Sequence, residues 1–179
     1  METIKNKIPP YATHFFKKLS NYLNTKIYFF GSVQRNDYFP ESSDIDADIF
    51  TDNMSSTLIK LQSFLNVNKY QFKHFVYKLH KTNNIVYGYK IEYKDSKNNF
   101  FAEISIYNES NKQNVLLEHK SKIDIPFYIS YLLVIIKYIY YNLGIMPKNI
   151  YIFFKKLIMN YMVDGSDVEF VIIDVPSNH

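Results

Sequence analysis

Three aspartates at alternate positions are the residues of this chain best suited to chemistry. Asp44, Asp46 and Asp48 are separated by single apolar residues, so a β-strand would place all three carboxylates on one face. Carboxylates this close repel one another unless a divalent cation lies among them. The spacing therefore favours a metal site, and it leaves open the solvated polar face of an edge strand.

A glycine-serine pair precedes these aspartates. Gly31 ends a short apolar run, and because it has no Cβ a ligand can approach the backbone closely. Backbone amides and the Ser32 hydroxyl can hold phosphate oxygens. Eleven residues separate Ser32 from Asp44, which is enough for the chain to return along an adjacent strand. A phosphate cradle beside a carboxylate pair is the combination that transfer of a nucleotide from a triphosphate requires.

The periodicity of apolar residues predicts the elements that position these groups. The predicted helices are 11–23, 55–65, 128–143 and 149–162, and the predicted strands are 26–30, 44–50, 72–80, 85–93 and 100–107. A short apolar run at 169–175 is a possible further edge strand. We therefore predict an α+β palm with a mixed sheet over residues 1–119. A small helical annex with a short C-terminal apolar tail follows over residues 120–179.

Composition narrows the class of protein. The 179 residues include no cysteine, which excludes a disulfide framework, a cysteine-ligated zinc site and a thiol nucleophile. A net charge of +4 allows a nucleic-acid partner without requiring one. The polar start does not fit a signal peptide, and the most apolar run, 127–143, is shorter than the roughly 20 residues of a membrane span. The sequence thus predicts a cytoplasmic protein with no membrane partner.

The motif formed by Gly31-Ser32 and Ser43-Asp44-Ile45-Asp46 resembles the signature of the DNA polymerase β-like nucleotidyltransferases. More narrowly, residues 38–46 are similar to the segment of noncanonical poly(A) and terminal uridylyl transferases that ends in Ser-Asp-Ile-Asp. The likeness extends over about residues 26–163. It implies a polymerase β-like palm with flanking helices, an NTP substrate with ATP as the expected donor, and Mg²⁺ or Mn²⁺ as cofactor.

The same resemblance implies roles for three later residues. Glu103, in the run 102–108, stands where the family has its third carboxylate, with Glu in place of Asp. Lys137 matches a lysine that contacts the triphosphate, and Tyr151 matches a tyrosine that stacks on the base. The implied catalytic residues and metal ligands are Asp44, Asp46 and Glu103. The implied nucleotide-binding residues are Gly31, Ser32, Lys137 and Tyr151.

The residues themselves leave alternatives at several of these positions. Glu92 and Asp48 compete with Glu103 as the third ligand. Glu92 alternates with lysines on what reads as a solvated face, and Asp48 reads as exposed or as a support to the ligands. Glu103 lies on an apolar strand, where an unpaired carboxylate is costly. Lys137 could snorkel to the surface and Tyr151 could pack in the core. No histidine has the spacing of a ligand.

The resemblance favours an RNA 3′ end as the acceptor. It also leaves room for a homodimer or a protein partner, because the glycines and serine that precede the stacking tyrosine in the family are absent. The alternatives are a minimal enzyme that modifies a protein or small molecule, an oligoadenylate or cyclic-nucleotide synthase-like enzyme, and a non-catalytic subunit that keeps the fold.

Overall fold

The structure, a computed structural model, describes residues 4–40, 42–95, 97 and 100–159, and the backbone of residues 170–173. The helices within these residues are α1 (Pro10–Leu23), α2 (Met54–Leu65), α3 (Lys112–Ile123), α4 (Phe127–Tyr141) and α5 (Lys148–Met159). The strands are β1 (Ile27–Phe30), β2 (Ile45–Thr51), β3 (Lys73–Lys78), β4 (Ile85–Asp95), β5 (Phe100–Asn108) and β6 (Phe170–Ile173).

The strands form one mixed sheet in the order β1-β2-β5-β4-β3-β6. β2 and β5 run parallel, and every other neighbouring pair is antiparallel. The α+β prediction with a mixed sheet is confirmed. The possible edge strand in the C-terminal tail is also present, since β6 pairs with β3 through contacts such as Tyr77 with Phe170.

One face of the sheet is covered by α1 and α2. The apolar members of the alternating pattern in β2 point to this side, together with Phe16 and Leu19 of α1 and Leu61 of α2. Burial of each large apolar side chain contributes roughly 1.5–3 kcal/mol, so this face fixes the strand register firmly. The register in turn sends Asp46 and Asp48 to the opposite face.

α3 covers part of that opposite face, and the sequence did not predict it. Its buried residues are Val115, Glu118 and His119, two of which are polar. Glu118 accepts hydrogen bonds from the Tyr77 hydroxyl at 3.1 Å and from the Lys81 backbone N–H at 3.1 Å. A helix that binds the sheet through polar contacts has little apolar periodicity, and this is why the pattern gave no signal.

α4 and α5 pack together around a small apolar core of their own, which includes Leu133, Ile136 and Ile158. They match the predicted helices 128–143 and 149–162, and residues 160–162 of the second lie outside the described residues. α3 runs across the predicted boundary between residues 119 and 120, and β6 belongs to the palm sheet. The division into palm and annex stays a prediction.

The length and apolar composition of the helices bear on whether any of them could cross a membrane. No single helix in the described ranges has both the length and the apolar composition to cross a bilayer. One pair, Glu109–Ile123 with Phe127–Tyr141, passes by length and composition together, and it is bent by 79°. The cytoplasmic location stays a prediction.

Candidate active site

A row of acidic side chains crosses the open face of the sheet. Asp46 of β2 is directly paired with Glu103 of the parallel strand β5, and Glu103 is directly paired with Glu92 of β4. Neighbouring strands lie about 4.8 Å apart, so Asp46 and Glu103 are side by side. Glu92 turns outward, is 63% exposed, and forms an ion pair with Lys73 at 2.9 Å. Glu103 is therefore the acidic neighbour of Asp46.

Asp46 is held in a site that opposes its charge. Burial raises the pKa of the Asp46 carboxyl to about 7, and the nearby charge of Glu103 adds to the rise. Lys155 and Arg35 act in the other direction without cancelling it. Glu103 is paired with the Lys90 ammonium at 3.2 Å, so the uncompensated charge is that of Asp46. Two adjacent carboxylates of this kind fit a hard divalent cation such as Mg²⁺ or Mn²⁺.

Gly31 makes room for the Asp46 carboxylate. It opens a short 3₁₀ turn, Gly31–Gln34, and has a φ of +68°, in the left-handed region. A Cβ at this position would overlap the Asp46 carboxylate. Glycine is therefore required here both by the backbone conformation and by the contact.

Two other predicted site residues, Ser32 and Asp44, differ in their exposure to solvent. Ser32 is almost fully buried, and its carbonyl accepts a hydrogen bond from the Arg35 backbone N–H at 2.9 Å. Asp44 is exposed and lies just before β2. Within the described part of the chain, no three His, Asp or Glu side chains are grouped as a complete set of metal ligands. The assignment of Asp44, Asp46 and Glu103 as ligands stays a prediction.

Lys137 of α4 lies in a buried ion cluster with Asp37 and Arg35. Its ammonium donates to the Asp37 carbonyl oxygen at 2.7 Å and lies 2.9 Å from the Asp37 carboxylate. Arg35 grips the same carboxylate with two N–H groups at 2.8 and 3.1 Å. Burial pushes the pKa of Asp37 up, but the two cations outweigh it and hold this pKa below its ordinary value. The cluster ties α4 to the loop that leads into β2.

Tyr151 of α5 is packed between other tyrosines. Its ring stacks on Tyr140, with centroids 4.3 Å apart and planes at 3°, and its hydroxyl is hydrogen-bonded to Tyr141. Burial, with Tyr141 beside it, raises the pKa of Tyr151 far above its ordinary range. Core packing, the alternative that the sequence left open, is thus realised, although Tyr151 also contributes to the lining of a cleft.

Two clefts flank the acidic row. The larger, of about 570 Å³, lies against α5, and its lining includes Asp44, Tyr141, Lys148, Tyr151, Lys155 and Lys156. The smaller, of about 270 Å³, lies against α3, and its lining includes Gly31, Arg35, Lys90, Glu103, His119 and Lys122. The side chain of Met159 borders both. The larger volume falls in the usual range of small-molecule sites.

Asp48 excludes one of the two interpretations that the sequence left open for it. It is fully buried under α3, where its carboxylate lies 2.7 Å from His119 Nε2, so its interpretation as an exposed residue is wrong. The His119 ring also stacks on Phe30, the residue before Gly31, with centroids 4.0 Å apart. The sequence offered no role for any histidine, because this contact joins residues far apart in the chain.

With this geometry established, comparison with known proteins identifies the family. The model of the nucleotidyltransferase domain matches residues 13–114, which is more than half of the chain. The chain belongs to the nucleotidyltransferase domain family. The matched segment includes Gly31, Asp46 and Glu103, so the domain contains the centre of the candidate site. The resemblance to the polymerase β-like nucleotidyltransferases is confirmed, and so is the α+β fold.

Two solved structures are similar to this nucleotidyltransferase domain. The RNA terminal uridylyl transferase Cid1 has 16% identity and a TM-score of 0.38, with 76% of this chain and 42% of that chain covered. The GLD-2/RNP-8 complex has 15% identity and a TM-score of 0.35, with 93% of this chain and 66% of that chain covered. The chain thus spans less than half the length of the first. No curated protein matches it significantly.

Proposed function

We propose that this protein transfers a nucleoside monophosphate from an NTP to an RNA 3′ end without a template, with ATP as the donor. The observation that carries the proposal is the pairing of Asp46 with Glu103 beside Gly31. This arrangement combines two adjacent carboxylates with a glycine turn, the two components that nucleotide transfer needs.

The larger cleft is the proposed nucleotide site. It opens beside Asp44, its lining includes lysines of α5, and its volume suits a nucleotide. A divalent cation held by Asp44, Asp46 and Glu103 would supply positive charge to the triphosphate and to the acceptor oxygen. Ser32, at the turn, would bind phosphate oxygens, and Tyr151, which contributes to the lining of this cleft, would contact the base.

The smaller cleft is the proposed acceptor site. Its lining includes Lys90 and Lys122, cations suited to the phosphates of an RNA chain, together with Glu103. In the proposed reaction the acceptor hydroxyl oxygen forms a bond to the α-phosphorus, and the bond from that phosphorus to the β-phosphate oxygen breaks. Pyrophosphate leaves, and Glu103, which lines the smaller cleft, would take up the hydroxyl proton.

A labelled-nucleotide assay tests this function. The protein is incubated with each labelled NTP, with Mg²⁺ or Mn²⁺, and with an oligoribonucleotide or no acceptor. Extension of the RNA supports the proposal, and the variant with Asp44→Ala and Asp46→Ala should abolish it. Label on the protein, or in a soluble product, would instead favour a protein-modifying or oligoadenylate synthase-like enzyme. Activity that survives in the double variant would show that the site is elsewhere.

A non-catalytic subunit is the second candidate, and one contact favours it. The Lys90 ammonium donates to the Glu103 carboxylate at 3.2 Å and supplies part of the charge that a cation would otherwise provide. A wild-type protein that binds NTP but transfers nothing under any of these conditions would support this candidate. If Lys90→Ala then produced transfer, Lys90 would be the group that suppresses it.

A further inference from the structure

The lysine predicted to hold the triphosphate is already committed to a structural contact. Lys137 is 2% exposed, and its ammonium is used on both the carbonyl and the carboxylate of Asp37. Turning it towards a phosphate would leave a fully buried aspartate with Arg35 as its remaining cation. Removing one partner from a buried ion cluster is strongly unfavourable. Lys137 thus fastens α4 to the loop before β2.

The larger cleft has a different source of positive charge in α5. Lys148, Lys155 and Lys156 all line it and all are exposed. Within the residues that the structure describes, no hydrogen bond or ion pair holds the Lys155 ammonium. Binding a ligand would therefore cost it no hydrogen bond or ion pair with any residue in the described part of the chain.

The position of Lys155 on the helix places it in the larger cleft together with Asp44 and Tyr151. It lies four residues after Tyr151, so the two share a helix face, and the packing of Tyr151 against α4 fixes where that face points. The charge of Lys155 acts on both Asp46 and Lys137, whereas that of Lys148 acts on Glu92. Among the α5 lysines that line this cleft, Lys155 is thus the one whose charge reaches Asp46.

We propose that Lys155, and not Lys137, binds the β- and γ-phosphates of the nucleoside triphosphate in the larger cleft. The inference rests on the proposed function, because it assigns a residue to the nucleotide of that reaction. A flexible ammonium on an exposed helix face suits a polyphosphate that enters from solvent. A nucleoside monophosphate, which has no β- or γ-phosphate, should not depend on Lys155.

Equilibrium binding of ATP and AMP in the presence of Mg²⁺ separates the two lysines. For Lys155→Ala we expect the dissociation constant of ATP to rise about tenfold or more, while that of AMP stays within about twofold of wild type. Lys155→Arg should retain ATP binding. Lys120→Ala, which removes an exposed lysine of α3, is the matched control and should change neither constant.

Lys137 is tested in parallel. Lys137→Met should lower the melting temperature, and the folded protein should keep the wild-type ratio of ATP to AMP affinity. Where Lys137→Met does not fold, Lys137→Arg keeps the charge and should also keep that ratio.

The opposite results would overturn the inference. Wild-type affinity for ATP in Lys155→Ala, an equal loss of AMP binding there, or a selective loss of ATP binding in a folded Lys137 variant would each do so while leaving the proposed function intact. A wild-type protein that binds no NTP with either Mg²⁺ or Mn²⁺ would overturn the proposed function, and this inference with it.

Discussion

Asp46 is partly buried beside a second carboxylate, and this is unfavourable for the fold. Its pKa of about 7 means that above neutral pH the protein holds a charge that burial and Glu103 both oppose. We expect Asp46→Asn to raise the free energy of unfolding by on the order of 1–3 kcal/mol at pH 8 without added cation, and to abolish transfer. Denaturant unfolding measures the first effect and the labelled-nucleotide assay the second. A variant less stable than wild type would show that Asp46 is well accommodated.

A substitution at Gly31 tests its contact with the Asp46 carboxylate. A Cβ there would meet the Asp46 carboxylate, and the left-handed φ adds strain for any other residue. Gly31→Ala should therefore lower stability by roughly 1–2 kcal/mol and reduce transfer at least about a hundredfold, because the carboxylate must move. Gly144→Ala is the control, since its φ is also positive but a Cβ would have nothing within 4 Å. Equal losses of transfer in the two variants would contradict the steric explanation.

Asp37 gives the stability of the protein a defined dependence on pH. Its pKa in the folded state lies below the ordinary value of 3.8, so its contribution is complete above that pH and is lost as the pH falls through the folded-state pKa. We expect Asp37→Asn to reduce the free energy of unfolding by roughly 2–4 kcal/mol at pH 7. The difference from wild type should narrow below about pH 4. Unfolding curves at pH 7, 5 and 3.5 measure it, and a constant difference would exclude this origin.

Residues of the site differ in how far the sequence predicts them. Alternation along β2 and the glycine-serine pair lead to Asp46 and Gly31, and resemblance to the family adds Glu103. Asp37 and His119 are not predictable in this way. Each is defined by a partner far away in sequence, Lys137 for the first and Asp48 for the second, and no local pattern encodes such a pair.

At the scale of elements, α3 shows what periodicity misses. The strands and the four predicted helices each have an apolar side. The sheet buries this side against α1 and α2, and α4 and α5 bury theirs against each other. α3 instead contacts the sheet through Glu118 and His119, side chains that normally indicate a solvated face. These two side chains are buried because they have partners on the sheet, Tyr77 for Glu118 and Asp48 for His119.

His119 is the test of this polar contact between α3 and the sheet. Its removal leaves Asp48 buried without its hydrogen-bond partner, so we expect His119→Ala to cost about 2–4 kcal/mol of stability. His14→Ala, on the exposed side of α1, is the matched control and should change stability by less than about 0.5 kcal/mol. Thermal and denaturant unfolding measure both. A similar small effect in the two variants would mean that the contact contributes little.

For the molecule as a whole, the helical pair α4 and α5 exposes many large apolar side chains. Tyr131 is 68% exposed, Phe153 is 61% exposed and Ile135 is 39% exposed. Patches of this kind bind hydrophobic dyes and other apolar surfaces. Replacing Tyr131, Ile135 and Phe153 together by Gln should reduce binding of the dye ANS severalfold and leave the melting temperature within a few degrees. A large fall in melting temperature would show that these side chains are packed.

The parallel pairing of β2 with β5 also has a consequence for the order of folding. All of α2, β3 and β4 lie between these strands in sequence, so Asp46 and Glu103 become neighbours only through a non-local contact. Closing such a long loop costs entropy before any contact repays it, which slows folding. During synthesis, the two carboxylates begin to repel each other only after β5 has emerged. The two carboxylates thus come together only once the chain has been made through β5, and a ligand that neutralises them cannot act on a shorter chain.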